Sequence, residues 1–555
     1  MPQYAIGLDY GTSSVRALLV DVQTGEELAS SVFPYPHGKS GVLTDVRDPD
    51  VARQHPQDYL DGAESVIQGV LSAASARPDF APAQVVGIGV DTTGSTPIPV
   101  DAEGVPLAFD AGFDGSLAAL VYLWKDHTGH AEAAEITALA ARVRPQYLAK
   151  CGGIYSSEWY WAKALRCLRA APDVFEAAHT WVEHADWLPA VLAGETRPDR
   201  LKRGICAAGH KALFHPDWGG YPDEEFLAAL DPGLVRLRRS LPDRAYHIGQ
   251  PAGTLSREWA ERTGLSQDIP VSVGAFDAHL GGVGSGIRPN ILVKNIGTST
   301  CDMMVAPLGE PLADIPGLCG IVPESILPGF YGLEAGQSAV GDIFNWFVEE
   351  IQPVGHGHQD LTEGAAHLLP GGSGLLALDW HNGNRTILVD PRLTGAILGL
   401  TLQTTPAEMY RAWIEATAFG ARVIMERFEE GGQAVRGITN CGGISVKNPL
   451  IMQVYADVMG RPISISRSAQ TAALGSAIAG AVAAGAHPSF PDAMDAMTGL
   501  HPVVFEPDPA RRAVYDRLYT LYRRLHDAFG VRGTRDDLSD VMKSLLAIRD
   551  EVRDV

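Results

Sequence analysis

Leu8-Asp9-Tyr10-Gly11-Thr12-Ser13-Ser14, running into Val15-Arg16-Ala17-Leu18-Leu19-Val20, is decisive for the fold because the chain writes it twice. Downstream it reads Lys294-Asn295-Ile296-Gly297-Thr298-Ser299-Thr300, running into Cys301-Asp302-Met303-Met304-Val305. A strand, a tight Gly-Thr-Ser turn and a second strand predict a hairpin whose backbone N–H groups and hydroxyls hold a phosphate. Small residues let the backbone approach the anion, and hydroxyls add donors. One such turn is ordinary hairpin chemistry. Two, one in each half of the chain, predict two related α/β domains gripping one nucleotide across a cleft. Only the first copy carries an acid, Asp9 against Asn295, so a single metal is expected beside the first turn.

Outward from the first copy, Tyr4–Leu8, Val15–Val20 and Leu28–Phe33 read as three antiparallel strands. Pro56 to Ala76 reads as a helix, and Val85–Val90 as a buried strand ending at Asp91. Asp186–Gly194 and Arg203–Lys211 read as turn-rich material of an insertion or substrate region. Pro270–Gly274 is a further strand, closing on Ala275-Phe276-Asp277, and the glycines from Gly281 to Gly286 read as a domain boundary. The second half restarts the pattern with Ile291–Asn295 and Cys301–Val305. Thr405 with Pro406 signals the start of a helix reaching Phe428, and a strand Ile438–Cys441 opens onto Gly442-Gly443 before a helix from Asn448 to Met459. The segment 353–373 reads as a surface insertion. After Gly530 a charged amphipathic helix is expected, packed on the body or between copies of a homo-oligomer.

At 555 residues the chain exceeds one core and suits two large domains. A formal charge of −22 argues against a nucleic-acid groove. Six scattered cysteines without CxxC spacing read as reduced thiols. The first strand begins at Tyr4, so no secretory leader is expected. The small-residue run Ala472–Ala486 is too short and too weakly apolar to span a bilayer. These readings predict a cytoplasmic enzyme with no membrane or nucleic-acid partner.

Rival nucleotide motifs fail. Gly38-Lys39-Ser40 has the tail of a P-loop, but Phe33 stands where its first glycine belongs. The glycines at 281–286 do not read as opening a helix after a strand, which argues against a dinucleotide fold. No HExxH occurs, and His356-Gly357-His358 reads as solvated. Asp277 is the candidate base, at the C-terminal end of a strand where ligands of α/β domains sit; it equally suits a helix N-cap over Ala278–Gly282. Glu334 lies among apolar and small residues, where an unpaired charge is costly. Lys211, in a turn-rich stretch, reads on its own as solvated.

With these residues assembled, the chain resembles the FGGY carbohydrate kinase family, over roughly residues 4 to 500. The motifs are the two phosphate turns, Gly274–Gly284 with its Asp, Gly395–Leu400 leading to Glu415, and Gly442-Gly443-Ile444-Ser445-Val446-Lys447-Asn448. Val90–Pro97, Leu123–Thr128, Gly152–Trp159 and Gly209-His210-Lys211 are similar to members acting on L-ribulose, with D-ribulose or D-xylulose as alternative acceptors. The resemblance implies an α/β fold of two actin-like domains (ribonuclease H-like, as in sugar kinases, Hsp70 and actin) around an interdomain cleft. Residues 1–288 would form the sugar- and phosphate-binding domain, 289–530 the nucleotide domain and 531–555 a helical tail. It also implies MgATP and a ketopentose as ligands. Asp277 would accept the proton of the sugar's primary hydroxyl, and Asp9 would hold Mg²⁺. Gly11, Thr12, Ser13 and Arg16 would approach one end of the triphosphate, and Gly297, Thr298 and Ser299 the other side. Gly341 and Asn345 match positions near the nucleotide, and Gly442, Gly443, Lys447 and Asn448 the adenosine loop. Gly94, Ser95, Lys211 and Glu334 match ketose contacts.

Overall fold

The computed structural model describes residues 2–351, 355 and 357–554. Two seven-stranded sheets carry the same central pattern. In the first, Tyr4–Tyr10, Ser14–Asp21 and Glu27–Pro34 form an antiparallel meander, and Val85–Thr92 runs parallel to Tyr4–Tyr10 on its other side. In the second, Ile291–Ile296, Thr300–Pro307 and Phe330–Ala335 form the meander, and Gly437–Cys441 is the parallel neighbour of Ile291–Ile296. The repeat read from the turns is thus a repeat of whole sheets. Equivalent positions face equivalent partners: Asp9 pairs with Arg16 and Asp91, and Asn295 with Cys301 and Cys441.

A helix from Thr471 to Ala483 leaves the second sheet and lies directly on the first. Its run of Ala, Gly and Ser, which in sequence offers no amphipathic signal, is explained by this seat. A Cβ on Gly7 would stand 1.8 Å from Ala473 O, and one on Gly89 1.8 Å from Ser476 O. The strands meet this linking helix backbone to backbone, which only glycine permits. The same closeness explains Gly284, among the glycines of 281–286. They do not form a loop: Gly281, Gly282 and Gly284 lie in a helix, Asp277–Gly284, that follows the strand Ala275–Phe276 at once. Gly284 lets it press on the linking helix: a Cβ there would stand 2.0 Å from Thr471 O, and one on Gly475 1.8 Å from Leu280 O.

Two further expectations are corrected. The stretches expected to be turn-rich are helices, His184–Ala193 and Ile205–Ala212, because most of their side chains are buried against other elements. Of the expected surface insertion, residues 353, 354 and 356 lie outside the described residues, His356 among them. His358–Ala366 is a helix whose Leu361 and Ala365 enter the main core of the second half. The helices expected at Pro56, Thr405 and Asn448 form within about two residues of the expected bounds, as Pro56–Ala74, Pro406–Glu430 and Pro449–Met459. Thr405 caps Pro406–Glu430 in a capping box with Glu408, and Asn448 caps Pro449–Met459 through Ile451 N–H at 3.2 Å. The tail helix Val541–Arg553 packs through Val541, Leu545 and Ile548. All six cysteines are free. No helix among the described residues is long and apolar enough to cross a membrane.

Candidate active site

The register of the first sheet brings three carboxylates to one place. Asp9 and Asp91 are direct partners on adjacent parallel strands, and Ala275, two residues before Asp277, is the partner of Asp91 on the far side. Asp9 and Asp91 therefore share a face of the sheet, and Asp277, the first residue of the helix that follows Ala275–Phe276, lies close enough to feel the Asp9 charge. Asp91 is fully buried; Ser476 Oγ, from the linking helix, donates to its Oδ2 at 2.5 Å, while its Oδ1 has no partner. Arg16 approaches Asp9 at 3.7 Å. Burial raises Asp9, opposed by Asp91 and Arg16, and burial and the Asp9 charge hold Asp91 well above the usual carboxylate range. Asp277 opens its helix, with Oδ1 accepting from Ala278 N–H at 2.7 Å, and burial followed by the Asp9 charge pushes it up to about 7. It is therefore both the strand-end acid and the helix-start residue between which the sequence left the reading open. Asp91, which the sequence reading passed over, completes the group.

Across from these acids lies a buried basic and acidic cluster. Lys211 is not solvated: it sits in Ile205–Ala212 with its Nζ 3.0 Å from Glu334 Oε1. Its ammonium also stands 5.3 Å from the Trp159 ring centroid and 5.8 Å from that of Phe276. Glu334 Oε2 is 3.3 Å from His210 Nδ1 and 3.2 Å from His279 Nε2. Burial alone would raise Glu334, but Lys211 and then His279 outweigh it and hold the carboxyl well below its usual range. Although burial opposes its charge, His279 is held up at about 10 by Cys206 and Glu334. Burial, together with the charge of His279 stacked beside it, drives His210 far down, leaving it neutral. Lys211 and Glu334 are thus a compensated ion pair with two histidines attached.

The remaining predicted residues form two flanks. Gly11 N–H donates to Ser14 O at 3.0 Å to close the first turn, with Thr12 held by Trp124 Nε1 at 3.0 Å and Ser13 exposed. In the second turn Gly297 N–H donates to Ser299 O at 2.9 Å, with Gly297 and Thr298 exposed. That turn is fastened to the helix Gly341–Trp346, because Val340 and Gly341 donate to Thr298 O and Gly297 O at 2.7 and 3.1 Å. Asn345 is exposed on that helix. The stretch expected as a loop is a short helix, Gly443–Lys447; Gly442 before it has φ +91°, and a Cβ there would stand 2.4 Å from Ile296 O, so this segment is pressed against the second hairpin. Gly443 and Lys447, at the two ends of this helix, are exposed. Ser95 is different. It is fully buried and its hydroxyl donates to Glu183, while Lys163 Nζ donates to its carbonyl at 2.8 Å. Its hydroxyl proton is engaged within the protein, and Gly94 beside it lies against the Phe276 ring.

Two similar sheets, a linking helix between them, a phosphate-type turn in each and acids at the strand ends define the actin-like, two-domain sugar kinases. The comparisons sharpen this. The model of the N-terminal domain of the FGGY family of carbohydrate kinases matches residues 4–284, and that of its C-terminal domain matches residues 292–484. The chain belongs to this family. The ribulokinase of Shouchella clausii is 42% identical over 100% of this chain and 99% of that protein. The ribulokinase of Geobacillus thermodenitrificans is 42% identical over 98% and 96%. Among solved structures, the xylulose kinase of Rhodospirillum rubrum superposes with a TM-score of 0.76 at 24% identity, covering 95% of this chain and 99% of that one. The gluconate kinase of Lactobacillus acidophilus gives 0.78 at 20% identity over 96% and 99%. These last two speak to the fold alone.

Proposed function

We propose that this chain transfers the γ-phosphoryl group of ATP to O5 of L-ribulose, giving L-ribulose 5-phosphate and ADP, in the cytoplasmic breakdown of L-arabinose. The observation that carries the reading is Asp277, a carboxyl held near pH 7 beside Asp9 and Asp91 and opposite the Lys211–Glu334 pair. Full-length similarity to ribulokinases supports the choice of sugar.

The sugar's O5 attacks the γ-phosphorus, its proton passes to Asp277, and the bond to ADP breaks with its electron pair leaving on ADP. Such a transfer is governed by alignment and charge stabilisation. Lys211 and Glu334 offer a cationic donor and an anionic acceptor to the ketose hydroxyls, and Gly94 and Ser95 border them. Gly11, Thr12, Ser13 and Arg16 take one side of the triphosphate, and Gly297, Thr298 and Ser299 the other. Gly341, Asn345, Gly442, Gly443, Lys447 and Asn448 take the nucleoside side. The hard oxygen donors fit Mg²⁺: Asp9 would hold it, and burial raises Asp9, Asp91 and Asp277 alike, with the Asp9 charge adding to it at the other two, so a cation there would be favoured. Bound there, the ion would neutralise the phosphates. On this reading residues 1–288 bind sugar and phosphate, 289–530 bind the nucleotide, and 531–555 form the tail.

A coupled ADP-release assay over L-ribulose, D-ribulose, D-xylulose, pentitols and glycerol tests the proposal. L-Ribulose should give the highest kcat/KM. A higher value for D-ribulose or D-xylulose would reassign the acceptor, and turnover of none would remove the kinase reading.

A further inference from the structure

Arg385 is a cation without a counter-ion. It lies between the strands Leu376–Leu378 and Ala396–Leu398. Its backbone N–H donates to Ser338 Oγ at 3.1 Å, and its Nη2 to Thr300 O at 2.8 Å, at the root of the second phosphate turn. Gly336 makes the room: a Cβ there would stand 2.6 Å from Nη2. The Nε is buried with no partner, and no carboxylate among the described residues pairs with this guanidinium. Glu158 and Glu334 act on it only through space, and Glu334 is already held by Lys211, His210 and His279.

A desolvated guanidinium donor left unpaired is costly, and a fixed fork of donors suits an oxyanion better than any neutral group. Position selects the anion. One end of Arg385 is tied to Thr300, next to the turn at 297–299, and its field reaches Glu334 and Lys211 in the proposed ketose pocket. The phosphoryl group in transit must occupy the space between those two places. The acids Asp9, Asp91 and Asp277 would repel it, so a cation beside Thr300 has a task. We propose that Arg385 is a catalytic residue that holds a peripheral oxygen of the phosphoryl group as it passes to the sugar, and the same oxygen in the phosphorylated product. The step is unchanged in its balance: the sugar O–P bond forms, the P–O bond to ADP breaks with its electron pair, the hydroxyl proton goes to Asp277, and the guanidinium keeps its protons. The inference rests on the kinase reading of this cleft.

Arg385→Gln and Arg385→Lys in the full chain test it. Steady-state kinetics with the pentulose the wild type uses best should show kcat falling about 10²-fold or more in Arg385→Gln. KM for ATP and for the sugar should change less than about threefold, the signature of an interaction made in the transition state. Arg385→Lys, which keeps charge but loses the fork, should recover only part. In calorimetric titrations without sugar or nucleotide, inorganic phosphate should bind the wild type about tenfold or more tightly than Arg385→Gln. Equal phosphate binding by both overturns the proposal, as does a raised sugar KM with kcat intact, which would make Arg385 a hydroxyl contact. Loss of kcat that tracks a lowered Tm in both variants would make it a prop for Thr300, and also overturns it. If the wild type phosphorylates no pentulose, the kinase reading fails, while the phosphate titration still reads Arg385 by itself.

Discussion

Asp277→Asn should make the protein more stable and nearly inactive, and pH should separate the two effects. The carboxyl is pushed from an ordinary 3.8 up to about 7 by burial and by Asp9. A raised folded-state pKa means the fold disfavours the charged form. The resulting penalty is absent below about pH 4, grows between 4 and 7, and is complete above 7. A rise of about three pH units at ~1.4 kcal/mol each corresponds to about 4 kcal/mol. Since the side chain is partly open to the cleft, about 2–4 kcal/mol is the expected gain for the neutral isostere. Thermal unfolding of wild type and Asp277→Asn, without nucleotide or Mg²⁺, should coincide near pH 4 and diverge toward pH 8, with the variant higher. In the coupled assay the wild-type kcat/KM should rise through a pKa near 7. The variant should lose roughly 10²–10⁴-fold, the usual share of a general base, and lose that pH dependence. Two results would refute the reasoning: near-normal turnover in the variant, or a Tm difference that does not change between pH 4 and 8.

Lys211→Met breaks a buried pair and leaves Glu334 without its main counter-charge, so stability should fall by about 3–5 kcal/mol. Sugar KM should rise about tenfold or more while KM for ATP stays within about twofold; equal losses for both substrates would place Lys211 outside the sugar pocket. Gly89→Ala puts a Cβ 1.8 Å from Ser476 O, which forces the linking helix off the first sheet. A loss of about 1–3 kcal/mol in urea unfolding is expected, and an unchanged midpoint would show that the helix is not seated as tightly as its glycines imply.

The fold was legible where its signals are local. A Gly-Thr-Ser turn between two apolar strands forms from its own residues, so both hairpins, the Thr405 cap and the Asn448 helix stand where the sequence places them. It was illegible where a remote surface decides. Thr471–Ala483 carries little amphipathic pattern because one of its faces is fitted to glycines Gly7, Gly87 and Gly89, far away in sequence. Ile205–Ala212 reads as solvated turns because nothing near Lys211 announces Glu334, 123 residues on. Arg385 gave no local signal at all, since its isolation is a property of what fails to reach it.

Asp91 is the instructive omission, because its signal was on the page. Gly7-Leu8-Asp9, Gly89-Val90-Asp91 and Ala275-Phe276-Asp277 are one pattern, a small residue and an acid two positions on. Residues two apart share a strand face. The small residues are small because helices press against that face: Gly7 and Gly89 meet the linking helix, and Ala275 shares its core with Ala473 and Ala477. Asp9 and Asp91 therefore fall near the ends of their strands, where Ser476 of the same helix reaches Asp91. In the sheet Asp9 faces Asp91 directly, while Ala275 is the partner of Asp91, so Asp277 joins them from two residues further on, at the start of its helix. Burial raises all three, and the Asp9 charge adds to it at Asp91 and Asp277, so the arrangement that seats the helices also prepares the place where positive charge is wanted.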